Sequence, residues 1–156
     1  MIQRIQSLYL ALALLAGIIT FFFPFASYLS DLAYYKLTLT GFNDVTPGAA
    51  QAFSSLFTLP LLGIHLVVAG LALYVLLAYK NRTKQLKFLK FAFILCIIYI
   101  GVLFLYTNVL IEKKLGVVTH YETGSYFPLI MLVFIILANR AIGKDDKLVR
   151  SMDRLR

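Results

Sequence analysis

Leu56–Tyr79 is a run of 24 residues without one Asp, Glu, Lys or Arg. As an α-helix rising about 1.5 Å per residue it would reach roughly 36 Å, and the hydrocarbon core of a bilayer is about 30 Å thick. Three further apolar runs accompany it. They are Ser7–Phe25, Phe88–Val109 with Lys90 near its start, and a shorter run from Ser125 to Ile142 with Arg140 near its end. A long cationic side chain at a helix end can snorkel to the headgroups. In lipid the backbone must satisfy its own polar groups, so only helices and closed barrels can span. Barrel strands would show segments of about ten residues with alternating polarity, whereas these runs are continuous. The fold class expected is an all-α membrane protein, a four-helix transmembrane bundle in one domain over residues 1–156. Its spans lie near 7–25, 56–79, 88–109 and 125–142, followed by a cytoplasmic basic amphipathic tail over 143–156.

Composition agrees. Apolar residues make up 61% of the chain and charged ones 14%, with a mean hydropathy of +0.85. Soluble domains run nearer 45–50% and roughly 25%. A soluble domain this small buries only about two-thirds of its chain surface. An ordinary soluble enzyme and a disordered chain are therefore excluded. The single cysteine, Cys96, allows no internal disulfide and no multi-cysteine metal motif.

The net charge is +8, but the position of each charge matters more than the sum. Arg4, the cluster Lys80, Arg82, Lys84, Lys87 and Lys90, and the six cations from Arg140 to Arg156 fall on one side of the expected spans. Only Lys36, Lys113 and Lys114 fall on the other. The positive-inside rule then places both termini in the cytoplasm. Lys80, Arg82, Lys84, Lys87, Arg150, Arg154 and Arg156 become candidates for contact with anionic inner-leaflet lipids or a partner. Nucleic acid is not an expected partner.

Two outer loops carry β-prone text, Tyr35–Thr40 and Val117–Tyr121, each followed by turn residues. They form either a small sheet shared between the loops or irregular caps on the helix ends. In the tail, Leu148, Met152 and Leu155 stand at i, i+4 and i+7. That spacing describes a helix lying on the inner leaflet, a plain extension of the fourth span, or a docking helix.

His65, nine residues into the second span and near mid-bilayer, is the one intramembrane candidate for cofactor or ligand binding. No carboxylate lies in any span, and the other histidine, His120, sits in an outer loop. A proton relay, a bis-histidine haem and a zinc site each lack a second member. The alternative is a neutral imidazole hydrogen-bonded to a neighbouring helix. Gly63 and Gly70 suit close intramolecular helix packing, and Pro60 either kinks the second span or opens it. Phosphate-loop, dinucleotide, zincin and nucleophile-elbow motifs are absent. No catalytic residue, metal site or cofactor is expected.

Both ends are distinctive. Met1-Ile2-Gln3-Arg4-Ile5-Gln6-Ser7, Ala138-Asn139-Arg140-Ala141-Ile142, Lys147-Leu148-Val149-Arg150-Ser151 and Asp153-Arg154-Leu155-Arg156 resemble an uncharacterised family of short four-span integral membrane proteins of Bacteroidetes-type bacteria, domain-of-unknown-function family 4293. The resemblance covers the whole chain and implies a multi-pass protein of the bacterial cytoplasmic (inner) membrane, without an assigned activity. The function expected is a non-enzymatic accessory or scaffold subunit that packs against another membrane protein or itself. The alternative is a small transporter or ligand-binding protein using the His65 and Pro60 region.

Overall fold

The computed structural model describes residues 3–29, 33–44, 46, 53–79 and 81–153. Four long helices form its body. α1 is Gln3–Ile19, α2 is Leu59–Leu77, α3 is Arg82–Phe104 and α5 is Tyr126–Asp153. A π-helical stretch, Leu105–Ile111, carries α3 into a last turn, α4, at Glu112–Leu115. α1 packs on α2 and α5, and α3 packs on the same two, so the four close into a ring. They alternate in direction. The Gln6 amide donates to the Ala141 carbonyl at 3.4 Å, tying the start of α1 to the late part of α5. The Gln85 amide donates to the Val75 carbonyl at 2.8 Å, bracing the turn between α2 and α3.

The seam facing the bundle axis repeats in steps of four and three. It reads Leu61, His65, Val68, Ala72, Val75 on α2 and Leu89, Ala92, Cys96, Tyr99, Leu103 on α3. On α5 it reads Met131, Ile135, Ala138, Ile142, Asp145. That average of 3.5 is the period of left-handed bundles. Alanines on the seam allow close approach between helices. The outer faces are apolar as well: Leu8, Leu66, Leu77, Phe91 and Ile94 are all exposed. In water that surface would cost free energy in proportion to its area. Three helical segments are long and apolar enough to cross a membrane, Leu56–Leu77, Thr83–Leu115 and Thr123–Leu148.

Helix ends differ from the sequence expectation in four places, each for a local reason. The first run was expected to span to Phe25, but α1 stops at Ile19. The Thr20 hydroxyl donates back to the Ala16 carbonyl at 2.8 Å, and Phe21 and Phe22 close tight turns onto Ile18 and Ile19. Pro24 then prevents resumption of the helix. Pro60 lies in the first turn of α2, where its missing N–H would have no helical partner, so it opens the helix rather than kinking it. The third helix runs past Val109 to Leu115, where Gly116 terminates it in the left-handed region with φ +67°. The fourth helix passes Ile142 and Gly143 unbroken to Asp153. The tail is thus an extension of that helix as far as Asp153, with Ile142 and Asp145 both buried.

A four-stranded antiparallel sheet covers the end of the bundle where α1 stops and α2 and α5 begin. Its strands are β1 Ala26–Leu29, β2 Tyr34–Leu37, β3 Phe42–Asp44 and β4 Thr119–Tyr121, in the order β3-β2-β1-β4. β1 sits centrally, with Ala26 opposite both Leu37 and Tyr121. The two loops therefore do share a sheet. A second apolar cluster, including Phe25, Tyr28, Leu37, Leu61, Tyr99 and Leu103, joins it to the helices. At Gly124 the backbones nearly touch: its N–H donates to the Pro24 carbonyl at 2.9 Å, and a Cβ there would lie 2.3 Å from that oxygen.

Candidate functional site

His65 is 1% exposed. It is six residues beyond the first residue of α2, or about 9 Å along the axis. Within α2 this histidine lies nearer the sheet end than the opposite end. Its Nε2 lies 3.1 Å from the Gly17 carbonyl of α1. A carbonyl only accepts, so the proton is on Nε2 and Nδ1 carries the lone pair. Gly17 belongs to the last turn of α1, and its carbonyl loses its i+4 donor because the Phe21 N–H turns to the Ile18 carbonyl instead. The histidine thus caps α1 from a neighbouring helix, as the neutral-imidazole alternative required.

Two further rings and a methionine complete this layer. Phe21 meets the imidazole edge-on at 5.4 Å between centroids, and Tyr99 of α3 lies 5.2 Å away. Met131 of α5 touches the same Gly17. All four long helices therefore contribute to one layer. Two buried polar atoms in it, His65 Nδ1 and the Tyr99 hydroxyl, have no hydrogen-bond partner among the described residues. Pro60 is not part of this arrangement, and the Cys96 thiol instead points its weak donor at the Pro128 carbonyl, 3.9 Å away. Among the described residues no three His, Cys, Asp or Glu side chains gather as metal ligands would.

The sheet is fastened to the π-helical stretch by polar contacts that local sequence patterns did not reveal. The buried Tyr28 hydroxyl donates to the Thr107 carbonyl at 3.3 Å. Thr119 donates to Glu112 of α4 at 2.8 Å and Tyr121 to the Asn108 side chain at 2.8 Å, while Ser27 of β1 donates to Glu122, just past β4, at 2.9 Å and ties the sheet to itself. Burial pushes the Tyr28 hydroxyl above the ordinary phenol range. Glu112 and Asn108 thus anchor the sheet.

The opposite end carries the clustered cations. Lys84 and Lys87 are exposed on the first turns of α3, and Lys87 borders a groove of about 530 Å³ along that helix. Arg82 and Arg150 belong to α3 and α5, but their side chains lie outside the described set. Lys80, Arg154 and Arg156 lie outside the described residues altogether.

A family profile described as a domain of unknown function, DUF4293, matches residues 2–155. The chain belongs to the DUF4293 family. No curated protein and no solved structure matches it. Membership in DUF4293 brings no chemistry with it. One placement bears on function directly. Gly63 and Gly70 do not pack inside the bundle as expected. They face outward with Leu66 and Val67 between them, and apart from chain neighbours and the helix's own backbone no atom lies within 4 Å of where a Cβ would stand on either.

Proposed function

We propose that this DUF4293 chain is a four-span protein of the bacterial inner membrane, with both termini cytoplasmic, acting as a non-enzymatic accessory or scaffold subunit of a membrane complex. α1 is short for a span, at 17 residues. Its apolar surface continues through the tight turns at Phe21, Phe22 and Phe23, and Phe22 is 77% exposed. Four crossings put the cation-rich end of the bundle inside, in keeping with the positive-inside rule.

The observation that carries the accessory reading is the outward face of α2. Gly63, Leu66, Val67 and Gly70 follow i, i+3, i+4 and i+7, with open space over both glycines. Small residues on a lipid-facing helix let a second transmembrane helix approach closely, and association in membranes is driven by such packing. The test is photo-crosslinking in cells from position 67, followed by purification in mild detergent. A stoichiometric membrane-protein adduct, lost in Gly63→Leu/Gly70→Leu while thermal stability is kept, supports the reading. No adduct, or one that survives both substitutions, contradicts it.

One observation favours a second reading, a small-ligand site. His65 Nδ1 can accept and the Tyr99 hydroxyl can donate, and neither is engaged. A small polar molecule seated between them would use both. Loss of function in His65→Phe with unchanged expression and unchanged crosslinking from position 67 would favour this reading over the first.

A further inference from the structure

Thr83, Lys87, Lys90 and Ile94 stand at i, i+4, i+7 and i+11 on α3, one stripe about 16 Å tall. With Phe91 they line an open groove along this face of α3. The stripe changes character along the helix axis. Its first two turns present a hydroxyl and two ammonium groups. The next presents an aromatic ring and an aliphatic side chain, Phe91 and Ile94, both exposed. Lys87 and Lys90 are exposed too, and no ion pair ties either of them to a described residue.

A soluble anion would use only the lower part of this groove, and a neutral hydrocarbon only the upper part. An amphiphile uses both. We propose that the groove binds one anionic glycerophospholipid, its phosphate held by Lys87, Lys90 and the Thr83 hydroxyl and its acyl chain lying along Phe91 and Ile94. The assignment rests on the membrane reading above, which sets the start of α3 at the inner headgroup level. There the ligand is abundant and its charge complements the lysines. Lysine acts as a flexible point charge and suits a phosphate approached from two turns of one helix.

The full chain, purified in a non-ionic detergent, is titrated in native mass spectrometry with phosphatidylglycerol, with phosphatidylcholine of the same acyl chains, and with glycerol 3-phosphate. One phosphatidylglycerol should bind in preference to phosphatidylcholine, and glycerol 3-phosphate should not be retained. Each lysine near anionic lipid contributes on the order of 1 kcal/mol, so Lys87→Gln/Lys90→Gln should weaken binding roughly thirtyfold. Lys87→Arg/Lys90→Arg should keep the affinity within about threefold, since the charge remains. Lys84→Gln, at a cation that does not line the groove, should bind as the parent does. Equal binding of the two lipids, or full binding by a folded glutamine double variant, overturns the site. So does retention of glycerol 3-phosphate as strong as that of the lipid. Release of the chain from membranes by alkaline carbonate would overturn the membrane reading itself. A membrane-integrated chain without lipid preference would overturn the groove assignment alone.

Discussion

Substitution at His65 separates a hydrogen bond from a packing contribution. The bond from Nε2 to the Gly17 carbonyl is 3.1 Å long. Interhelical hydrogen bonds in a membrane protein average about 0.6 kcal/mol and reach about 1.7 kcal/mol. The ring also fills space among Phe21, Tyr99 and Gly17. Emptying such a site by large-to-small replacement costs about 2–5 kcal/mol. Packing should therefore dominate. His65→Phe keeps a ring and loses only the hydrogen bond, so it should cost less than about 2 kcal/mol. His65→Ala loses both and should cost about 3–6 kcal/mol. At about 2–4 °C per kcal/mol for a chain of this size, the Ala variant should melt well over 5 °C lower, and the Phe variant by a few degrees. Cys96 supplies the assay. It is the only cysteine, it is fully buried, and a thiol-reactive fluorogenic dye will report unfolding in detergent. A His65→Phe variant as unstable as His65→Ala would refute this weighting, because the hydrogen bond would then outweigh the packing. Unchanged melting of both variants would refute the histidine layer as a structural element.

Two further predictions concern the sheet end. Gly124→Ala places a Cβ against the Pro24 carbonyl, backbone against backbone, where neither side can move aside cheaply. It should destabilise by about 2–4 kcal/mol from overpacking and loss of one hydrogen bond, read as a lower Tm with the same dye. The Tyr28 phenol is raised by burial, so the folded state holds its proton more tightly than the unfolded chain. Its contribution to stability is complete below about pH 10 and falls as pH rises beyond that value. The Tm difference between the parent and Tyr28→Phe should therefore be constant up to about pH 10 and narrow above it; a difference that widens would contradict the assignment.

Much of the helical body is written into composition, because apolar runs of this length leave lipid as the only suitable solvent. What the runs hide is where helices end. Ser7–Phe25 reads as one unit, yet a threonine bonding backward and a proline end the helix within it. β1 was invisible for a related reason: Ala26–Leu29 continues the apolar text of α1, and its partners are distant. Ala26 pairs with Tyr121, and no local pattern displays such a pairing. Pro24 was the available signal. The tail's periodicity was legible, but the burial of Asp145 on the continued fourth helix was not, because its charge argues for exposure. The spacing of Gly63 and Gly70 was equally plain. Which way they face was not, because α2 is apolar on every side. The His65–Tyr99 neighbourhood shares that difficulty, since it joins helices far apart in sequence.

Topology is the central claim, and reporter fusions test it most directly. Reporters active only in the cytoplasm or only in the periplasm are inserted at Asn43, at Lys84 and after Arg156. Four crossings predict that Asn43 reads periplasmic while Lys84 and the C-terminal fusion read cytoplasmic. A C-terminal fusion on the same side as Asn43, or Asn43 and Lys84 on one side, would contradict the four-span, both-termini-inside arrangement.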